Sequence, residues 1–245
     1  MDKTELGTWG NVRGSESYLR EPESIDDLRE TIESVGKSGG IARGSGMSYG
    51  DQPMNRDGDV IQPLFRERNI DNPSSNGLIT VPPSITFAEL LERVVPLGWF
   101  IPVVPGTSFV TIGGAVAADI HGKNHYRESS IASHIQSITL MLADGEVIRC
   151  SKTEEAPIFW ATMGGLGLTG IVIEATIQLS RIRSSKVQVS RKSFGNFSDL
   201  FEAMKSQVNR FEYSVAWLDL ISKNDFGRGI LETANHEISN PHPEF

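Results

Sequence analysis

The sequence predicts an α+β fold, and three observations carry that prediction. Apolar runs of strand length, such as Leu78–Val81, Ile138–Leu142 and Ile171–Leu179, are interspersed with segments of helical periodicity. Asp144-Gly145 stands between two of these runs, a turn dipeptide that makes the flanking strands an antiparallel hairpin. Glycine-rich stretches at 43–51, 105–114 and 163–170 punctuate the chain, and none gives G-x-G-x-x-G between a strand and a helix, which excludes a doubly wound dinucleotide fold.

In chain order, residues 1–20 read as an irregular lead-in around Trp9-Gly10. Pro22 to Val35 reads as a helix capped by Ser24, with Ile25, Leu28, Ile32 and Val35 at helical spacing, and Gly36, Gly39 and Gly40 end it. Ile41-Ala42 leads into the loop Arg43 to Asp51. Val60 to Leu64 is a short strand that Pro63 confines to an edge or a strand end. Leu78–Val81 is a strand stopped by Pro82-Pro83. Ser84 to Val95 is a helix with Thr86 and Glu89 as a capping box, closed by Gly98, and Trp99 to Val104 is a buried extended run. The hairpin strands are Ile138–Leu142 and Glu146–Cys150. A helix follows Thr153 with Phe159 and Trp160 inward, then the third glycine stretch and the strand Ile171–Leu179.

The character changes after Ser180. Arg181 to Ser193 is basic and extended. Asn196 to Asn209 reads as a helix with Phe197, Leu200, Phe201 and Met204 inward, Tyr213 to Ile221 as a strand, and Asn224 to Gly229 as a turn. The last fifteen residues show no apolar periodic element. The expected division is residues 1–180 and 181–245, the second part being the beginning of a further α+β domain that is not completed.

Composition bounds the function. At 245 residues the chain is one large domain or two small ones, and 38% hydrophobic with 22% charged residues is ordinary for a soluble globular protein. A net charge of −8 argues against nucleic acid or an anionic membrane as the main partner. The single cysteine, Cys150, excludes an internal disulfide and reads as buried and inert. The N-terminus lacks a signal-peptide layout and no run is long enough to span a membrane, so a cytoplasmic protein without an integral membrane segment is expected.

Chemistry concentrates in Pro105 to His125, PGTSFVTIGGAVAADIHGKNH. A Gly113-Gly114 pair and the small residues Ala115, Ala117 and Ala118 precede a dense polar cluster, Asp119, His121, Lys123, Asn124 and His125. Glycine admits close backbone approach, and bare N–H groups in such a turn cradle anions. A glycine-rich turn between two buried elements fits the same residues. His121 and His125 stand four apart, as metal ligands on a helix would. Gly122 disfavours that helix and no third ligand cluster is evident, so no metal site is expected.

Four strings, ARGSGMSYGD, PGTSFVTIGGAVAADIHGKNH, LADGEV and FWATMGGLGLTGIV, resemble the vanillyl-alcohol-oxidase-like superfamily. That superfamily carries a PCMH-type FAD-binding domain of two small α+β subdomains with FAD between them. Within it the strings are similar to the decaprenylphosphoryl-β-D-ribose 2′-oxidase family, in the same order from about Trp9 to Asp219, with HGKNH as the most specific part. The resemblance implies that Ala42, Arg43, Gly44, Ser45, Gly46, Met47, Ser48, Tyr49, Gly50, Asp51 and Gln52 form a pyrophosphate-holding loop. Arg43 then adds positive charge, or is a surface ion-pair residue. Gly106, Thr111, Ile112, Gly113 and Gly114 would meet the second diphosphate and the ribityl chain. Ala118, Asp119, Ile120 and His121 would run past the isoalloxazine ring, and Val172 would meet the adenine or ribose end. Plain core packing accounts equally for Thr111 and Val172.

The family reaction oxidises a secondary hydroxyl of a sugar by hydride transfer to flavin N5, the oxidising half of a 2′-epimerisation on a polyprenyl-phosphate-linked pentose. His121 is the implied base or substrate-orienting group, with Lys123 as an electrostatic anchor and Tyr49 closing the pocket. His125 reads as structural. Further implications are a sugar or lipid-linked sugar substrate, a short-chain reductase partner and peripheral work at the inner membrane face. Many related oxidases place a histidine bonded covalently to flavin where this chain has Met47, so noncovalent FAD is expected. Family members also continue for roughly another domain's length. An aldonolactone or alditol oxidase, or a non-catalytic FAD-binding fragment, are the alternative expectations.

Overall fold

The structure is a computed structural model that describes residues 2–65, 70–207, 210–223 and 226–238. Its first sheet has the order β1-β2-β4-β3, from β1 (Thr4–Leu6), β2 (Ser15–Arg20), β3 (Gly40–Ala42) and β4 (Asp59–Ile61). β4 is buried throughout and pairs in parallel with β2 and β3. Its buried Asp59 is neutralised by Arg20 Nε at 2.7 Å and accepts the Gly36 N–H at 3.2 Å. The lead-in expected to be irregular therefore holds two strands. The inward residues of β2 are Ser15 and Ser17 and not apolar ones, so its alternation carries no hydrophobic signal. Ser17 Oγ donates to the Asn55 carbonyl at 2.8 Å, which satisfies it in the core.

Helix α1 (Ile25–Glu33) starts as expected, with Ser24 Oγ accepting the Asp27 N–H. Its Leu28 joins Ile61, Phe65, Met141 and Ile171 in a small cluster that seams the first sheet to the second. The second sheet is antiparallel, order β5-β9-β7-β8, from β5 (Leu78–Val81), β7 (Ile135–Met141), β8 (Val147–Ser151) and β9 (Ile171–Gln178). The β7–β8 hairpin turns at Gly145, which takes φ +81°. Helix α2 (Phe87–Val94) has the capping box in full: Thr86 Oγ1 accepts the Glu89 N–H and the Glu89 carboxylate accepts the Thr86 N–H. Phe87, Leu90 and Val94 pack with Ile138, Leu140, Ala175, Ile177 and Phe159 in the main core.

Helix α3 (Ile112–Ala118) occupies the stretch the sequence left open between a turn and a ligand loop. Two glycines weaken it as a helix, but burial of Ile112, Ala115 and Val116 holds it in place. It ends at Asp119 in the left-handed conformation, φ +43°. A one-turn helix α4 (His125–Glu128) follows and begins beyond Gly122, so His121 and His125 do not share a helix, as Gly122 led one to expect. Helix α5 (Ala156–Thr162) buries Phe159 and leaves Trp160 half exposed, so only one of the two aromatics expected inside is there.

β6 (Trp99–Phe100) and β10 (Ser180–Arg181) form a short ribbon. The third sheet has the order β11-β13-β12, from β11 (Val187–Phe194), β12 (Tyr213–Leu218) and β13 (Gly229–His236), with α6 (Phe197–Gln207) beside it. β13 runs through the segment expected to lack a periodic element. Its inward set, Leu231, Thr233 and Ala234, is too weakly apolar to read in sequence. On α6 only Leu200 is fully buried, while Phe197 and Phe201 stack on each other half exposed. The ends of the expected helix and turn at residues 208–209 and 224–225 lie outside the described residues.

Candidate functional site

A cleft of about 300 Å³ opens between the first two sheets, just past the carboxyl ends of the parallel strands β3 and β4. Ala42, Arg43, Gly44 and Ser45 form one side; Thr111, Gly113, Gly114 and Ala117 of the α3 region form another; Leu166, Gly167, Gly170, Ile171 and Val172 close it. Pro63, Leu64, Pro83 and Leu166 give it apolar walls.

The loop after β3 is built to present donors. The Trp9 and Gly10 N–H groups take the Gly46 and Ser48 carbonyls at 2.9 and 3.1 Å. With the carbonyls held by that segment, the N–H groups of Gly44, Ser45, Gly46, Met47 and Ser48 have no acceptor among the described residues. Ser45 Oγ ties the loop to the Phe109 carbonyl at 2.6 Å. Arg43 is neither a surface ion-pair residue nor a free charge. Its guanidinium donates to the Gly7 carbonyl at 2.7 Å and the Pro53 carbonyl at 3.4 Å, bracing the loop from beneath. No carboxylate pairs with it among the described residues, and burial lowers its pKa. A row of unpaired amides beside a cation is an anion cradle.

Helix α3 forms the facing wall. Its first amides are already used: Ile112 N–H on the Ile85 carbonyl at 2.9 Å, Gly113 N–H on Pro83 at 2.8 Å, and Gly114 N–H on Thr111 Oγ1 at 3.3 Å. Gly113 and Gly114 line the cleft and shape its wall by lacking side chains, with their own N–H groups already engaged. The Ile112 side chain is fully buried in the core. Opposite, the buried Ser84 Oγ has no hydrogen-bond partner among the described residues.

The other expected site residues divide into two groups. Met47, Tyr49, Gly50, Asp51 and Gln52 continue the donor loop without lining the cleft, and Tyr49 is exposed with its ring edge-on to Trp9. Gly106, Ala118, Asp119, Ile120 and His121 also lie outside the cleft lining. Asp119 has a structural duty, its Oδ1 accepting the Ala132 N–H at 3.1 Å. Ile120 packs on the core. His121 is exposed, its ring edge-to-face with His125 at 5.5 Å, and no metal-binding group of three or more His, Cys, Asp or Glu exists among the described residues.

Lys123 lines a second cavity, of about 370 Å³, against the third sheet. The Ser214 N–H donates to the Lys123 carbonyl at 2.9 Å, and Tyr126 OH to the Phe211 carbonyl at 2.7 Å, so the His121–Glu128 segment is docked on that sheet. Sequence reasoning missed Pro63, Leu64, Pro83, Ser84, Ala117, Thr162 and Leu166 in the cleft. The third glycine stretch was the one available signal, and its Gly167 and Gly170 do line the site. Cys150 is fully buried, and burial, with Glu155 and Glu154 adding, pushes its thiol up to about 11.

An anion cradle facing apolar walls at the ends of parallel strands defines a site for a flat ligand with a charged linker. The chain belongs to the FAD binding domain family, which matches residues 17–151, and so to the FAD-dependent oxidoreductases. Among curated proteins, decaprenylphosphoryl-beta-D-ribose oxidase of Mycolicibacterium smegmatis is 38% identical over 238 residues, 91% of this chain and 51% of that protein. An uncharacterized protein in the mprA 5′ region of Streptomyces coelicolor is 42% identical over 62% of this chain and 41% of its own length. L-gulonolactone oxidase of Scyliorhinus torazame is 25% identical over 73% of this chain and 42% of its own. The chain spans about half the length of the curated relatives it matches. The residues present fit FAD: the unpaired amides of Gly44 and Ser45 at the cleft wall, with Arg43, suit a diphosphate, the lone Ser84 hydroxyl suits a polar ligand atom, and the apolar walls suit an aromatic ring system.

Proposed function

We propose that this chain is the flavin-holding part of an enzyme that oxidises a secondary hydroxyl of a sugar, with FAD bound noncovalently. The observation that carries the reading is the loop Gly44 to Ser48, whose amides have no acceptor among the described residues and whose Gly44 and Ser45 line a ligand-sized cleft. When bound, FAD accepts the hydride from the carbinol carbon. Gly44 to Ser48 and Arg43 hold the diphosphate; Thr111, Gly113, Gly114 and Val172 form the walls. Met47 has a thioether where a histidyl bond to flavin would form, which supports noncovalent binding.

His121, exposed and free of any carboxylate partner among the described residues, takes the hydroxyl proton at a ring nitrogen or fixes the hydroxyl's orientation. Lys123 supplies positive charge in the neighbouring cavity. The similarity to the mycobacterial oxidase supports a polyprenyl-phosphate-linked pentose oxidised at its 2′ carbon. That substrate implies a short-chain reductase to complete an epimerisation, and work beside the inner membrane face. No helix among the described residues is long and apolar enough to cross a membrane.

The similarity to L-gulonolactone oxidase favours a second reading, a soluble aldonolactone or alditol as substrate. Reduction of a redox dye by the FAD-loaded protein separates the two. Turnover with a lipid-linked pentose and none with free lactones supports the first reading. Turnover with lactones alone supports the second, and turnover with neither contradicts both.

A further inference from the structure

Gln62 lines the cleft and has no part in the proposed function so far. It lies just past the carboxyl end of β4, one position beyond the Ala42–Ile61 pair of the parallel ladder, and so stands next to Arg43 where the donor loop begins. Its main chain is fixed. The Gln62 N–H donates to the Arg20 carbonyl and the Arg43 N–H to the Ile61 carbonyl, both at 2.8 Å, and the Leu64 N–H donates to the Pro22 carbonyl at 2.9 Å. The Gln62 side chain is half-buried, and its amide has no hydrogen-bond partner among the described residues.

The polar side chains around it are engaged. Ser45 Oγ donates to the Phe109 carbonyl and Thr162 Oγ1 to the Ile158 carbonyl, at 2.6 and 2.8 Å, while Thr86 and Glu89 close their capping box. Ser84 offers one hydroxyl. Gln62 offers a primary amide, with two donor hydrogens and an acceptor oxygen side by side. A half-buried amide on a rigid strand end is matched by a ligand edge that sets a donor next to an acceptor.

We infer that Gln62 reads the adenine of bound FAD, its amide meeting the 6-amino group and a neighbouring ring nitrogen, so that the cleft selects for an adenine nucleotide. The inference deepens the proposed function and rests on it for the identity of the ligand. His121, which handles the hydroxyl proton in that reading, lies outside the cleft lining, as do Ala118, Asp119 and Ile120. The reacting end of the cofactor therefore belongs beyond the cleft, and the ring held between Pro63, Leu64, Ile171 and Val172 is the adenine. A glutamine amide matches the adenine edge with two hydrogen bonds, the pairing that proteins use to read adenine in nucleic acids. Gln62 is thus a specificity-determining residue and has no role in the hydride step.

The test is calorimetric titration of the flavin-free full chain with ADP and with purine riboside 5′-diphosphate, which lacks only the 6-amino group, alongside a fluorescence titration with FAD. The wild-type chain is expected to bind ADP about tenfold more tightly than the purine analogue, the loss of one matched hydrogen bond. In Gln62→Leu, which is close in size, that preference shrinks to within about twofold and FAD affinity falls about tenfold. In ¹⁵N-edited NMR the Gln62 side-chain amide, assigned by its absence from the variant spectrum, shifts on addition of ADP and not of inorganic pyrophosphate. Should Gln62→Leu not fold, the wild-type preference for ADP decides the matter. Equal wild-type affinity for the two diphosphates, an equal loss for both in Gln62→Leu, or a Gln62 signal that answers pyrophosphate as it answers ADP each overturns the inference. A chain that binds neither ADP nor FAD sinks the proposed function instead; one that binds both while Gln62 stays silent sinks this inference alone.

Discussion

Replacing Gly113 with alanine probes the cleft wall where it is tightest. A Cβ at Gly113 would stand 2.8 Å from the Pro83 Cβ and 3.2 Å from the Pro83 carbonyl oxygen. Carbon atoms attract best at about 3.5–4.0 Å, so the new contact is short by roughly 1 Å. The proline ring cannot rotate away, and its carbonyl already accepts the Gly113 N–H at 2.8 Å. Two effects then compete. Alanine is better than glycine inside a helix by about 1 kcal/mol, while overpacking against a rigid ring at so short a contact costs about 2–3 kcal/mol, the upper part of the usual range. The steric effect wins, leaving Gly113→Ala destabilised by about 1–2 kcal/mol, a fall in Tm of roughly 2–8 °C for a chain of this size. FAD affinity falls about tenfold, since Pro83 and Ser84 move with the wall. Gly114→Ala is the control. Its nearest neighbour is the Thr111 hydroxyl at 3.2 Å, a side-chain atom with room to adjust. Propensity decides there, and the variant is neutral or more stable by up to about 1 kcal/mol. Thermal unfolding by circular dichroism and FAD titration of both proteins give the answer. Equal Tm values would refute the close seating of α3 on Pro83.

Two further predictions concern single residues. The Cys150 thiol, at about 11 in the fold, keeps its proton to higher pH than the unfolded chain does at about 9. Its contribution to stability is therefore complete below pH 9 and is lost as pH rises from 9 to 11, by at most about 2–3 kcal/mol. Urea unfolding across that window shows the slope, and Cys150→Ala flattens it; an unchanged slope in the variant assigns the loss elsewhere. For the proposed chemistry, His121→Asn lowers dye reduction by at least about 10²-fold with FAD retained. His125→Asn, at the neighbouring ring, leaves turnover within about tenfold, and equal losses in both would remove the distinct role of His121.

Parts of this structure were legible because the forces that set them are local. The Thr86–Glu89 capping box, the Asp144-Gly145 hairpin and the Ser24 cap each join residues within a few positions. β2 was not legible because it buries Ser15 and Ser17, whose hydrogen bonds substitute for apolar packing. α3 hid behind Gly113 and Gly114, which cost helix propensity; Gly113 is there for a close approach to Pro83. The donor loop could be read from its glycines, since bare backbone has a sequence signature. The walls could not: Leu64, Pro83, Ser84 and Leu166 are ordinary residues brought together by packing from distant segments. Lys123 stood out in its polar cluster, yet its cavity is completed by Tyr213 and His236, which only the pairing of β12 and β13 brings together.

The claim on which the rest depends is that the cleft holds FAD without a covalent bond. The direct measurement is an absorbance spectrum of the purified chain, supplied with FAD, before and after acid precipitation. Flavin bands near ~450 nm on the folded protein that pass into the acid supernatant are the predicted result. Yellow colour remaining in the pellet would contradict the role given to Met47, and a colourless protein that takes up no FAD would contradict the site itself.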